Sequence, residues 1–195
     1  GKMERNLVLG LVVVVAVGFM VSDTAFAQEK KVRASLKASV SQTLGLDTEI
    51  TIDFSRPGVK GRTIWGDLVP YGLNPGNKYS KEKPFPWRAG ANEKTTITVS
   101  NDVLIDGKEL PAGTYSIHMI PSEEDWTVMF NKNSEGWGSY DYDEAEDALR
   151  LTVTPVEAPF EEWMRFGFDE LAGTSAVAFL QWEKLKVPFT ISLAE

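Results

Sequence analysis

The stretch TTITVSNDVLIDGKELPAGTYSIHMIPSEEDWTVMFN, residues 95–131, decides the fold class of this chain. Apolar side chains such as Ile97 and Val99 alternate in it with polar ones. Successive side chains of a β-strand point to opposite faces, so a period of two predicts strands with one buried face. The pair DG at 106–107 and the run PAG at 111–113 supply turns between these strands. The stretch therefore predicts a meander of short antiparallel strands.

The same alternation recurs on both sides of this stretch, in residues 50–55 and 176–182. The whole pattern predicts an all-β fold, an antiparallel β-sandwich with jelly-roll or immunoglobulin-like layering. One short helix is predicted over residues 143–149, because acidic residues in a first turn complement the helix dipole. Residues 159–169 fit either a helix or a strand. Residues 55–92 are rich in proline and glycine and predict a long loop, a kind of segment that often carries function.

The N-terminus has the three parts of a secretory signal peptide. A charged start at residues 2–5 precedes an apolar run at 7–21 and the small-residue pattern AFA at 25–27. The apolar run falls short of the roughly 20 residues that a stable membrane span needs. We therefore predict a signal peptide over residues 1–27, a flexible lead-in over 28–36 and a single β domain over 37–195. A retained N-terminal anchor is the alternative. After cleavage the mature chain would have no membrane span, so we expect a periplasmic or secreted protein.

Composition excludes several classes of site. The chain has no cysteine, which excludes disulfides, thiolate metal sites and a cysteine nucleophile. Its one histidine, His118, cannot supply the several nitrogen ligands of a zinc site, and its place on a strand predicts a solvent-facing side chain. We predict no metal and no cofactor. A net charge of −8 without a basic run also argues against nucleic acid as a partner.

Weaker patterns also bear on metal binding and catalysis. Residues 131–136, NKNSEG, imitate the first half of a calcium loop, but Tyr142 stands where the bidentate glutamate belongs, so a plain hairpin loop is favoured. No serine lies in a G-x-S-x-G turn. Glu183 is the one acid that we consider for hydrolysis, its alternative being an ion pair in a strand. The sequence identifies no catalytic residue. It leaves enzyme activity undecided and favours a protein that is not an enzyme.

The loop over residues 55–92 holds the best candidates for a site. An arginine offers a planar fork of donors that suits carboxylate or phosphate, and a tryptophan face can stack on a sugar or another ring. We predict a site for an anionic or sugar-like ligand, formed by Arg56, Arg62, Trp65, Trp87, Arg88 and Asn92. The alternative is that these side chains lock the loop onto the sheets through stacking and hydrogen bonds to carbonyls.

Several of these motifs together resemble a known family. They are SRPGVKGR at 55–62, WG at 65–66, VPYG at 69–72, WRAGAN at 87–92, LPAGTYS at 110–116 and LQWE at 180–183. The chain resembles an exported family of Gram-negative bacteria, the domain of unknown function DUF2911, over essentially all of its mature part. The resemblance implies one domain and implies no activity. The expected function is an exported binding or structural module. A carboxylate-dependent hydrolase of the cell envelope and a purely structural envelope protein are the alternatives.

Overall fold

The computed structural model describes residues 31–194, so the predicted signal peptide over 1–27 lies outside the described residues. The strands of the described part are β1 (Leu36–Leu44), β2 (Thr48–Arg56), β3 (Thr96–Val99), β4 (Val103–Ile105), β5 (Lys108–Leu110), β6 (Gly113–Ile120), β7 (Trp126–Asn131), β8 (Asp147–Val153), β9 (Val156–Asp169) and β10 (Ser175–Leu193). A single 3-10 turn at Glu144–Glu146 accompanies them. The prediction of an all-β fold is confirmed.

The strands form two antiparallel sheets. The six-stranded sheet has the order β1-β2-β3-β6-β7-β8, and the four-stranded sheet has the order β5-β4-β10-β9. The chain therefore leaves the first sheet after β3, makes the β4–β5 hairpin in the second, returns for β6 to β8, and ends in the second sheet. The long last strand β10 pairs with β9 through its first part and with β4 through its end.

The predicted Asp106-Gly107 hairpin is present. Strand β4 pairs with β5 so that Val103 faces Leu110. Both turn residues have positive φ, 45° at Asp106 and 78° at Gly107. Two central residues with positive φ match the right-handed twist of the flanking strands, which is why an Asp-Gly pair marks this kind of turn.

One hydrophobic cluster contains side chains of both sheets. In β2, Ile50, Ile52 and Phe54 are buried while the residues between them are more exposed, as the period of two predicts. Trp126 of β7 and Trp182 of β10 belong to the alternating stretches 95–131 and 176–182, and each is 1% exposed, as a buried strand face predicts. The apolar faces of the two sheets thus contribute to a common core.

The predicted helix over residues 143–149 is only the 3-10 turn. Asp143 caps the turn by accepting a hydrogen bond from the Ala145 backbone N–H, which uses the acidic start that the sequence showed. Strand β8 begins at once, with Leu149 opposite Phe130 of β7. Pairing along β7 competes with helix extension, and a nucleus of three residues is too short to persist as an α-helix. The ambiguous segment 159–169 lies within β9.

The prediction that His118 faces solvent is wrong. His118 is fully buried, because strand β6 is covered on both faces. One face packs in the core, and the loop after β7 folds over the other and brings Ser139 and the Tyr142 ring against the imidazole. Alternation shows which side chains share a face of a strand; it does not show what a distant segment later covers.

The described end of the predicted lead-in is attached to the rest of the chain. Arg33 Nη2 lies 2.6 Å from each carboxylate oxygen of Glu93. The Ser35 carbonyl accepts a hydrogen bond from Asn92 Nδ2 at 3.2 Å. Within residues 31–194, no helix has the length and apolar character to cross a membrane.

Loss of the Trp126 side chain should destabilise the fold strongly. Trp126 is 1% exposed, and its Nε1 donates to the Ser122 carbonyl at 3.0 Å. Trp126→Ala removes that hydrogen bond and leaves a cavity, so we expect the free energy of unfolding, measured by urea denaturation, to fall by about 3–5 kcal/mol. Trp137→Ala is the matched control: Trp137 is 54% exposed, and its loss should change stability by about 0.5 kcal/mol or less. Similar losses in both variants would contradict this assignment of the core.

Candidate functional site

The segment between β2 and β3, residues 57–95, has no long strand of its own and is held by isolated backbone pairs. Gly58 pairs with Trp163 of β9, and Trp87 pairs with Met119 of β6. The Trp87 pair has two hydrogen bonds of 2.9 Å, one in each direction. Both ends of the segment are therefore fixed, one against each sheet.

Four tryptophans form what we call the tryptophan cluster. They are Trp65 and Trp87 of the segment, Trp126 of β7 and Trp182 of β10. The Trp65 ring lies 4.9 Å from Trp126, 5.7 Å from Trp87 and 5.8 Å from Trp182, each time edge to face. The Trp87 and Trp182 rings are stacked with centroids 6.1 Å apart. Such pairs favour close packing beyond simple burial, so the cluster anchors the segment to both sheets.

A cleft of about 500 Å³ lies between this segment and the loop after β7. Its wall includes four of the six predicted site residues: Arg62, Trp87, Arg88 and Asn92. It also includes Lys60 and three residues that the sequence did not single out for a site: Trp137, Ser139 and Trp182. We call it the cationic cleft. Arg56 and Trp65 are not part of its wall, and Trp65 serves the tryptophan cluster instead.

Charge in the cationic cleft is one-sided. Lys60, Arg62 and Arg88 line it, and no aspartate or glutamate of the described part of the chain does. Within residues 31–194, neither Arg62 nor Arg88 has a carboxylate oxygen within 4.0 Å. The remaining described arginines each have one: Arg33, Arg56, Arg150 and Arg165. The two arginines of the cleft are thus set apart by the lack of an acidic partner.

Hydrogen bonds to backbone carbonyls hold both guanidinium groups. Arg62 donates from Nε to the Val59 carbonyl at 3.1 Å and from Nη2 to the Gly58 carbonyl at 2.6 Å. Arg88 donates from Nη1 to the Asn92 carbonyl at 2.6 Å, and its guanidinium lies 5.7 Å from the centre of the Tyr140 ring. A guanidinium has five N–H donors, so these bonds fix each fork and still leave donors for a ligand.

Arg56 behaves differently from the arginines of the cleft. Its Nε donates to the Met164 carbonyl at 2.8 Å, and its Nη2 donates to the Trp163 carbonyl at 3.1 Å. Glu161 lies 4.0 Å from the same Nη2. This side chain ties β2 to β9, which is the locking role that the sequence left open as the alternative. Sequence reasoning grouped six residues, and the structure brings four of them together.

The loop that carries Trp137 completes the rim of the cationic cleft. Trp137 makes an isolated backbone pair with Glu93. Two hydrogen bonds of 3.1 Å flank this pair: Lys94 N donates to the Gly136 carbonyl, and Gly138 N donates to the Asn92 carbonyl. Its backbone is therefore fixed while its side chain is 54% exposed. A tryptophan between two glycines in a polar loop was the sequence signal for this residue.

His118 and Ser139 support the wall of the cationic cleft. Ser116 Oγ donates to the Asn133 carbonyl at 2.9 Å, so it must accept from His118 Nε2, also at 2.9 Å. His118 Nδ1 then accepts from Ser139 Oγ at 2.7 Å. Burial and the nearby charges of Lys94 and Arg88 lower the pKa of His118 to about 3. Such an imidazole is a poor proton acceptor at neutral pH, so the arrangement fits structural support better than nucleophilic catalysis.

The residues of the weaker sequence patterns have hydrogen-bond or ion-pair partners of their own in the described part of the chain. In the calcium-like loop, Asp141 lies 2.9 Å from the ammonium of the buried Lys94, and Asn131 Nδ2 donates to Asp147. Residues 31–194 hold no group of three or more histidines, cysteines, aspartates or glutamates able to bind a metal ion. Glu183 sits at a bulge with φ 56° and accepts a hydrogen bond from the next backbone N–H. It does not line the cationic cleft.

Burial of neutral His118 should make the fold less stable in mild acid. The ordinary histidine pKa near 6.5 applies to the unfolded chain, while the folded pKa is about 3. Between these pH values only the unfolded chain binds the extra proton. The contribution of His118 to the free energy of unfolding is therefore fully present above about pH 6.5, and it is lost as the pH is lowered toward 3. We expect protonation of His118 in the unfolded chain to lower the free energy of unfolding, measured by urea denaturation, by about 2 kcal/mol between pH 7 and pH 5.

The chain has a single histidine, so its imidazole NMR signals identify themselves. In the folded protein these signals should keep the positions of the neutral ring down to about pH 4. A titration of the folded protein with a midpoint near pH 6.5 would contradict the buried, neutral assignment.

Comparison with known proteins gives the family of this chain. Residues 35–191 match the model of the family described as protein of unknown function, DUF2911. No curated protein and no solved structure matches the chain. The family match spans the described strands from β1 through most of β10 and confirms the resemblance seen in the sequence motifs. Because it covers most of the chain, this protein belongs to the DUF2911 family.

Proposed function

We propose that this protein is a binding module that takes a small anionic ligand in the cationic cleft. The observation that carries the proposal is the pair Arg62 and Arg88: among the described residues they have no acidic partner, and the wall of their cleft includes Lys60 and no acid. The rest of the chain is acidic, with a net charge of −8. In a chain with an excess of carboxylates, arginines that stay unpaired in a cleft favour a negative charge supplied from outside.

The geometry of the cleft supports this assignment. Its volume of about 500 Å³ lies inside the range of about 300–1,000 Å³ that is typical of small-molecule sites. The carbonyl bonds of Arg62 and Arg88 hold their forks in place before any ligand arrives. A fixed guanidinium loses little further freedom on binding and can meet a carboxylate or phosphate through two parallel hydrogen bonds.

Substitution of the cleft cations should weaken anion binding. Wild-type protein is titrated with citrate, succinate and inorganic phosphate, with calorimetry and tryptophan fluorescence as readouts, since Trp87 and Trp182 line the cleft. Removal of one charge-assisted hydrogen bond costs about 1.5–3 kcal/mol, so Arg88→Gln should raise Kd about tenfold or more. Added salt should weaken wild-type binding, because screening acts on exposed charges.

Lys60→Gln is the sharpest variant, because the Lys60 ammonium has no hydrogen bond or ion pair among the described residues and lies 5.6 Å from the centre of the Trp163 ring. Its loss should raise Kd at nearly unchanged stability. Lys184→Gln, on the exposed Lys184 of β10, is the control and should leave Kd unchanged. The purely structural alternative predicts that Arg62→Gln and Arg88→Gln lower the melting temperature while no anion binds the wild type, and that result would overturn the proposal.

We further propose that the two sheets are the layers of a β-sandwich and that the chain is exported. The shared hydrophobic cluster supports the layering. The charged start, the apolar run and the AFA pattern at residues 25–27 support export.

Export should leave a mature chain that begins at Gln28. The protein is produced with its full N-terminal sequence in a Gram-negative host, and the periplasmic and cytosolic fractions are examined by intact mass and N-terminal sequencing. We expect the periplasmic species to lack residues 1–27, and Ala27→Lys to accumulate the longer precursor because the cleavage site needs small residues. An uncleaved wild-type chain confined to the cytosol would contradict export.

A further inference from the structure

Trp137 has a side chain whose exposure the fold itself does not explain. The ring is 54% exposed and lines the cationic cleft. Its backbone is held on both sides by the bonds at Gly136 and Gly138. Within residues 31–194, Trp137 has no aromatic partner and no cation over its ring, whereas the four members of the tryptophan cluster all have aromatic partners. An exposed aromatic face on a fixed backbone is a stacking surface that costs little to organise.

The cleft also offers hydrogen-bond acceptors that an anion cannot use. Asn92 donates its amide nitrogen to the Ser35 carbonyl at 3.2 Å, and Asn74 donates its amide nitrogen to the Phe85 carbonyl at 3.3 Å. Each Oδ1 has no hydrogen-bond donor among the described residues and remains an acceptor. A carboxylate or phosphate brings acceptors only, so a ligand that uses these oxygens must carry donors such as hydroxyl groups.

We propose that the ligand is an acidic sugar, with its ring stacked on Trp137 and its carboxylate bound by the cations of the cleft. This assignment rests on the proposed function and adds the class of ligand. The cleft offers cations, an exposed aromatic face and accessible amide oxygens, which suit a negative charge, a ring with an apolar face and several hydroxyls. A uronic acid unit meets all of them in one molecule, because its axial C–H groups form an apolar face while its hydroxyls reach Asn74 and Asn92. Trp137 is then the residue that selects the ring.

The experiment uses matched saccharides. The probe is a trimer of galacturonic acid, and the same trimer with its carboxyls methyl-esterified keeps the rings and loses the charge. Succinate is the open-chain carboxylate, and benzoate is the aromatic one. Kd is measured by calorimetry for the wild type, Trp137→Ala and Lys60→Gln. We expect the wild type to bind the acidic trimer most tightly. Trp137→Ala should lose about tenfold for the trimer and little for succinate, and Lys60→Gln should weaken both.

The outcomes separate this inference from the proposed function. Equal affinity of wild type and Trp137→Ala for the acidic trimer would overturn the stacking role while leaving anion binding in place. Benzoate bound as tightly as the trimer would overturn the assignment to sugars. Tight binding of the methyl ester would show that the charge is not required and would overturn both proposals. Denaturation curves of Trp137→Ala check that the exposed side chain contributes little to stability.

Discussion

The packing of four tryptophans is the constraint on which the rest of the structure depends. Trp126 belongs to the six-stranded sheet and Trp182 to the four-stranded one, while Trp65 and Trp87 come from the segment between β2 and β3. Trp65 meets the other three edge to face, so one ring joins both sheets to a segment that has no long strand. Arg88 follows Trp87 directly, and its position is set by that anchor. A long irregular segment keeps a defined shape only where such buried contacts outweigh its conformational entropy.

This anchoring explains why locking and binding are not exclusive roles for an arginine. Arg56 donates hydrogen bonds to two carbonyls of β9 and lies near a glutamate of that strand, so it connects β2 to β9. Arg62 and Arg88 also bond to carbonyls, but those carbonyls belong to their own turns, at Gly58, Val59 and Asn92. Bonds within a turn stiffen the guanidinium locally without closing off the solvent side. Hydrogen bonds to carbonyls thus tie Arg56 to a neighbouring strand, whereas they hold Arg62 and Arg88 in place for the ligand that we propose.

Sequence reasoning reached the fold class and part of the site, and the missing parts have a common cause. Period-two alternation indicates which side chains share the buried face of a strand, and Trp126 and Trp182 lie on such faces. The Asp106-Gly107 turn follows from local backbone geometry. The burial of His118, the grouping of Trp137 with Arg88 and the departure of Arg56 depend on contacts between residues far apart in the chain. The predicted helix over residues 143–149 was too long, because its acidic start is visible in the local sequence whereas the pairing of β8 with β7 depends on residues far apart in the chain.

Two of the acids near the cationic cleft have cations of their own, and a third, Glu162, accepts a hydrogen bond from the Lys60 backbone N–H at 2.9 Å. Glu93, next to Asn92, is bound by Arg33 at 2.6 Å and Lys37 at 3.3 Å. Asp141, two residues beyond Ser139, is bound by Lys94 at 2.9 Å. Charges farther away are screened over about 8 Å at physiological ionic strength. The charges that line the proposed site are therefore the cations Arg62, Arg88 and Lys60.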